Sequence, residues 1–328
     1  MPPPSVLTAE EKEHFLKHGW VKIPKAFTKE KAESITANVW TRLGMDPNDK
    51  STWNRQRINM PHHKSFDASE FAPRAWAAIL ELCGGEDRVD PNTKYWRDAL
   101  IVNLGDEKHG GKPVPPKKLY EWHVDGDFFV HYLDSPEQAL LVTPLFTDIV
   151  PDGGGTYICP EAIPKMARHL YDHPEGVSPR MTPRGEADFR EERDLNFFNR
   201  VAQGCDNSSF VEATGEVGDV YLMHPLMLHA ASSNALRRVR IITNPPVSLR
   251  QPHRFDRDDP ADYSLVEQVT LRALGRDSLP GWQITAPRER VVPKRLIEAE
   301  RMKQEELKRL AELERKAEEG QQAVSAAA

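Results

Sequence analysis

Trp96 marks a change of period that limits the folds open to this chain. Before it, apolar residues recur every three or four positions; after it they gather in short runs broken by Gly, Pro, Asp and Asn. The runs 99–103, 122–125, 140–149, 156–158, 210–212, 220–224, 227–230 and 239–244 are too short for helices and rich in the residues that suit a pleated surface. Eight short strands of this kind predict an α+β fold whose core is a double-stranded β-helix, the jelly-roll or cupin-like sandwich.

Helices are expected around that core. Thr8 and Glu11 form a capping-box pattern for a helix ending at Gly19, ahead of the alternating strand Trp20-Val21-Lys22-Ile23. Thr28 caps a second helix expected to run to Leu43, with Ile35, Val39 and Leu43 in one stripe. Residues 45–68 read as a loop, and a third helix over 72–83 closes at Gly84-Gly85. The stretch 161–205 interrupts the strands with one or two helices, including Phe197-Phe198, and reads as an insertion over one mouth of the barrel. A helix over 263–274 follows, then a charged one near 295–318. Its pairs Glu305/Arg309 and Glu312/Lys316, and its thin stripe of Leu296, Leu307 and Leu310, predict a solvated surface helix. The expected organisation is one domain over 1–292, mainly helical over 1–95 and with its barrel core over 96–250, followed by a charged helix and tail over 293–328.

Composition narrows the function classes. With 328 residues the chain can bury a large core, and its net charge of −6, with both signs scattered, leaves no basic field for nucleic acid or anionic membrane. Cys83, Cys159 and Cys205 lack any Cys-x-x-Cys spacing, which predicts free thiols in a reducing compartment. No apolar run approaches the roughly 20 residues that cross a bilayer, and the start lacks the pattern of a leader. A cytoplasmic monomer or homodimer acting on a small molecule is expected.

In Trp122-His123-Val124-Asp125 an imidazole and a carboxylate lie two apart, so a strand would send both to one face. Alone this spacing is weak. About a hundred residues on come the Gly218-Asp219 turn, a strand ending in His229, Asn234 five residues later and Arg240 eleven later. Together with Leu7-Thr8 to Ile23-Pro24 and the turn Asp152-Gly153-Gly154-Gly155-Thr156, these motifs resemble the phytanoyl-CoA dioxygenase family (PhyH-like) of Fe(II)- and 2-oxoglutarate-dependent oxygenases over roughly residues 7–250.

The resemblance implies His123, Asp125 and His229 as catalytic iron ligands, a two-His, one-carboxylate triad that leaves positions for co-substrate and O₂. It implies Arg240 as the grip on the far carboxylate of 2-oxoglutarate, where a planar guanidinium makes paired hydrogen bonds that an ammonium cannot. Asn103 and Thr156 are further candidates for that contact. The family often has Ser where this chain has Ala231, so the hydroxyl that assists the carboxylate there is either missing or supplied by Ser232. An intact Asp125 points to hydroxylation, desaturation or a related oxidation, releasing succinate and CO₂, rather than halogenation.

Other residues stay open. His224 is the rival to His229, but an odd separation of five sends it to the other face of a continuous strand. Trp122, Phe128, Phe129 and His131 are candidates for the substrate pocket, against a plain core role. Asp127 is expected in solvent or supporting the ligands, and His62-His63 in a loop. A cupin-type metal enzyme that does not use 2-oxoglutarate, and a catalytically silent binding protein, are the competing classes. Arg240 and the intact triad argue against them.

Overall fold

The computed structural model describes residues 5–191 and 195–326. Its helices are α1 (Ala9–His18), α2 (Lys29–Thr36), α3 (Val39–Leu43), α4 (Ala68–Phe71), α5 (Pro73–Leu82), α6 (Ala162–Asp172), α7 (Asn196–Gln203), α8 (Leu265–Leu274) and α9 (Arg295–Ala326). Its strands are β1 (Trp20–Ile23), β2 (Arg57–Asn59), β3 (Ser65–Asp67), β4 (Tyr95–Arg97), β5 (Ile101–Asn103), β6 (Leu140–Pro144), β7 (Thr156–Cys159), β8 (Val211–Ala213), β9 (Val220–Met223), β10 (Leu228–Ala231), β11 (Arg240–Ile242) and β12 (Pro246–Val247).

All paired strands are antiparallel, in sheets ordered β1-β9-β6-β12, β10-β7-β8, β11-β5-β2 and β3-β4. Single bridges extend this pattern. Leu145 pairs with Ile242, joining the end of β6 to β11, and His123 pairs with His229, adding the His123 segment to the edge of β10. Two strand sets result: β2-β5-β11-β6-β9-β1, and the His123 segment with β10-β7-β8. They are tied by side chains of the first set that bond to backbone of the second. Asn103 Nδ2 donates to Ser232 O (3.0 Å) and Arg240 Nε to Gly154 O (2.6 Å).

The predicted caps form. In α1 Thr8 accepts from Glu11 N while Glu11 accepts from Thr8 N, and Gly19 ends the helix in the left-handed region at φ 70°. The helix expected from Thr28 to Leu43 is broken into α2 and α3. Thr36 bonds back to Ala32 O (3.0 Å), and the chain leaves the helix at Ala37-Asn38 before turning again. Residues 45–68, expected as loop, contribute β2 and β3, which are edge strands whose mixed polarity masked their period. The segment 122–125 is not a continuous strand. Only His123 makes a bridge, because Gly126 at φ +119° turns the chain, and a Cβ there would lie 2.6 Å from His131 Cε1.

The C-terminal helix corrects a larger expectation. α9 is docked through its middle, while 311–322 are exposed as expected of a surface helix: Glu306 is 1% exposed, accepts from Arg42 Nε (2.8 Å) and lies 2.8 Å from His63 Nε2. Arg42, 3% exposed, also pairs with Asp98 (3.0 Å), whose other oxygen accepts from His63 N and Lys64 N. Arg309 bonds to Arg42 O rather than to Glu305, which pairs with Arg301, whereas Glu312–Lys316 forms as expected (2.8 Å). A helix without an apolar face is held here by a buried charge network, which no amphipathic pattern announces.

Glu306→Ala should therefore leave the buried Arg42 with Asp98 alone as its counter-ion and empty the Nε contact, at a cost of about 2 kcal/mol. The check is the urea midpoint: it should fall with an unchanged slope, and an unshifted midpoint would mean that α9 does not depend on this contact.

Candidate metal centre

His229 lies on β10 and His123 beside it, joined by two backbone hydrogen bonds, His123 N to His229 O (3.0 Å) and His229 N to His123 O (2.9 Å). Residues directly opposite in an antiparallel pair send their side chains to one face, so the two imidazoles lie side by side, with ring centroids 4.3 Å apart. Each ring is oriented the same way. His123 Nδ1 donates to Glu121 O (2.8 Å) and His229 Nδ1 to Met227 O (3.0 Å), each the carbonyl two residues earlier. With both Nδ1 atoms carrying protons, both Nε2 lone pairs are left free, the arrangement that metal-binding histidines need.

Those lone pairs converge on Asp125. Its Oδ1 lies 3.5 Å from His123 Nε2 and 3.6 Å from His229 Nε2, too long for good hydrogen bonds, and one donor atom from each residue falls within a 4.8 Å span. Asp125 Oδ2 accepts from Asn244 Nδ2 (3.2 Å), which turns the carboxylate so that Oδ1 faces the histidines. Burial would raise the Asp125 pKa, but the two imidazoles hold it well below the usual carboxylate range. Burial would likewise lower His229, yet Asp125 raises it overall. An anion and a proton-holding base in mutual compensation are what a cation replacing the proton would find.

A second group of predicted residues gathers beyond His229. Arg240 is 1% exposed and sits directly across from Asn103, which in turn faces Arg57 on β2. Among the described residues no carboxylate lies within ion-pair distance of Arg240; its side chain meets only Gly154 O and Ile101 O (3.4 Å). Burial and the charge of Arg57 push its pKa down to about 9, opposed by Glu212, so it remains charged at neutral pH. Ser232 is buried nearby, its hydroxyl on the side of Glu212, and Thr156 is buried on the adjoining strand. Asn103 commits both amide protons, to Ser232 O and Gly154 O, and accepts from Gly105 N (3.1 Å); it braces the site. Gly154 is needed at φ +93°, where a Cβ would come within 2.9 Å of the Asn234 side chain.

Other candidates fall elsewhere. His224 is fully buried; Leu226 N donates to its Nδ1 (3.2 Å) and its Nε2 donates to Thr270 Oγ1 (2.9 Å), so no lone pair remains. Trp122, a pocket candidate, is core: it is fully buried against Phe210 with its indole N–H on Pro116 O (3.0 Å). Phe129 and His131 stack at 4.4 Å and, with Asp125 and His224, line a small internal cavity, while Phe128 is half-buried at its side. Asn244, Arg57, Glu212 and Arg295, which holds Asp127 (2.6 Å), were not foreseen. Their partners are set by strand pairing and by the return of the C-terminal segment, and no local pattern marks them.

No family model matches the chain, and no curated protein matches it. Solved structures to which it is similar include SnoK, a non-heme alpha-ketoglutarate-dependent carbocyclase from nogalamycin biosynthesis (17% identity, 76% of this chain and 87% of that one, TM-score 0.39). HygX from Streptomyces hygroscopicus with nickel and 2-oxoglutarate bound is 15% identical over 77% of this chain and 92% of its own, TM-score 0.40. EvdO2 from Micromonospora carbonacea var. aurantiaca is 14% identical over 77% and 97%, TM-score 0.40. At these identities and scores the likenesses carry no functional argument. Among the described residues no helix is long and apolar enough to cross a membrane.

Two outcomes separate the histidines. His229→Gln should abolish stoichiometric Fe(II) or Ni(II) binding in anaerobic titration, while His224→Gln keeps it; the reverse result would overturn the site. Burial and then the charge of His253 push the His224 pKa down to about 3. The unfolded chain therefore takes up a proton near the ordinary 6.5 that the folded chain refuses. Stability is complete above that value and falls by about 1.4 kcal/mol per pH unit as pH drops towards 3. His224→Gln should flatten this slope, measured as unfolding free energy between pH 7 and 4.

Proposed function

We propose that this chain is a non-haem Fe(II)- and 2-oxoglutarate-dependent dioxygenase that oxidises a small organic molecule with release of succinate and CO₂, and that its two strand sets are the faces of a jelly roll. The observation that carries this reading is Arg240: a buried guanidinium without a counter-ion among the described residues, beyond a His-Asp-His cluster whose lone pairs converge. A buried charge left unpaired is costly, so the site is built for an anion.

The donor set fits iron. Two imidazoles and one carboxylate on one side of an ion leave the other side open, as non-haem iron oxygenases require, whereas structural zinc sites are closed by four protein ligands. His123, Asp125 and His229 would hold the ion, which when bound supplies the oxidising chemistry. Asp125 brings the negative charge, and Asn244 keeps the carboxylate turned towards the histidines.

Arg240 would hold the distal carboxylate of 2-oxoglutarate, with Ser232 Oγ and Thr156 as the nearby hydroxyls. Its Nε is spent on Gly154 O and one Nη1 proton meets Ile101 O at 3.4 Å, which leaves the remaining terminal N–H groups of the fork for the ligand. Burial of Ser232 and Thr156 keeps water from competing for that ion pair. The motif resemblance to PhyH-like oxygenases supports the same assignment. A cupin-type enzyme that does not use 2-oxoglutarate would have no use for a buried, unpaired guanidinium.

Arg240→Lys should weaken 2-oxoglutarate binding by roughly 30-fold, about 2 kcal/mol, while leaving Fe(II) binding intact. The measurement is an anaerobic 2-oxoglutarate titration of the Fe(II)-loaded protein. Unaltered affinity in the lysine variant, or no binding by the native chain, would sink the reading.

A further inference from the structure

A second cavity, of about 190 Å³, lies against the loop that carries Asp125. Asp127 and Val130 of that loop line it together with Phe189, Arg190 and Glu191, and two further segments complete the lining. The first is the turn after α6: Val177 exchanges backbone hydrogen bonds with His131 (2.8 and 3.0 Å) and leads directly into Ser178–Met181. The second is the strap before α9: Val130 N donates to Glu289 O and Val291 N to Phe128 O (both 2.9 Å), and Arg295 then grips Asp127. Both of these segments are thus fastened to one short loop, whose Asp127 is two residues from a proposed metal ligand.

The lining has two characters. Val130, Phe189 and Val291 are apolar. Four lining side chains are cationic and two acidic, in a chain whose net charge is −6. Arg295 is engaged by Asp127, Arg190 by Glu289, and Lys294 also has a partner. Arg180 differs, because among the described residues its guanidinium meets no acceptor. Its backbone is nevertheless fixed: Ser178 Oγ, 2% exposed as a residue, accepts from Arg180 N and Thr182 N (both 3.2 Å), and Met181 N closes the turn on Ser178 O (2.8 Å). A cation held on a rigid turn at an apolar cavity, with its hydrogen bonds unspent, is a half-built ion pair.

We propose that this cavity is the substrate chamber and that the substrate is an amphipathic carboxylic acid, its apolar body against Val130, Phe189 and Val291 and its carboxylate on Arg180. The proposal rests on the oxygenase reading for the word substrate, but the binding site stands on its own geometry. Arg180 acts in binding and orientation, at a distance from the proposed ligands, so its loss leaves the metal and 2-oxoglutarate sites complete.

The test is calorimetric titration of the full chain, loaded anaerobically with Fe(II) and 2-oxoglutarate, with 3-phenylpropionate and octanoate and with the uncharged amide of each. At least one acid should bind about tenfold or more tighter than its amide. Arg180→Gln should erase that preference, Arg180→Lys should restore some of it, and 2-oxoglutarate affinity should stay native in both. Equal affinity of acid and amide, a preference that survives Arg180→Gln, or no binding of either acid at millimolar concentration would overturn the proposal. A native protein that fails to bind 2-oxoglutarate but still prefers acids through Arg180 would defeat the oxygenase reading alone.

Discussion

The pair of backbone hydrogen bonds between His123 and His229 governs the rest of the site. It joins a segment with no strand of its own to the edge of β10, bringing together residues more than a hundred positions apart. Because the two residues stand directly opposite, their side chains leave on the same face. Because each ring returns its Nδ1 proton to the carbonyl two residues earlier, both lone pairs point the same way. Asp125 needs only the bend at Gly126 and the amide of Asn244 to complete the cluster. Backbone geometry, rather than side-chain packing, sets the donor positions, and that keeps them from relaxing when no ion is present.

Two buried arginines differ in how far the chain itself answers their charge. Arg42 is surrounded by Asp98, Glu306 and backbone carbonyls, and its charge is answered within the chain. It pins α9 to the domain. Arg240 is as deeply buried, but its side chain bonds only backbone carbonyls, a second guanidinium, Arg57, opposes it, and Glu212 acts on it from beyond ion-pair distance. The fold bears that imbalance, and the proposed co-substrate would supply the missing charge. Arg180 repeats the logic nearer the surface. Sorting cations by whether a counter-ion is present separates scaffold from site more sharply than burial does.

Much of this molecule was legible in its residues. The capping boxes, the left-handed glycines that end helices and seven of the eight expected core strands lie where local rules place them, because those rules act within one turn or one pleat. The candidate site residues were legible as a spacing. His123 and Asp125 are two apart, and Asn234 and Arg240 stand at set distances from His229. The exception, 122–125, failed as a strand because Gly126 turns the chain. The second helix broke at Thr36–Asn38, where a back-bonding threonine and an asparagine at the next helix start compete with helix continuation.

What the sequence by itself determined is therefore the inventory: the periods, the caps, the turn glycines and the residue types able to hold a cation and an anion. Only the tertiary structure decided which imbalance each charge would meet. Glu306 reaches Arg42 across 264 residues, Arg295 reaches Asp127 across 168, and Asn244 reaches Asp125 across 119. Periodicity reports the environment of a face, averaged over a few residues, whereas an ion pair depends on two single atoms brought together by the whole path of the chain. For that reason Trp122 could pass for a pocket wall and α9 for a solvated helix until the fold showed what each one touches.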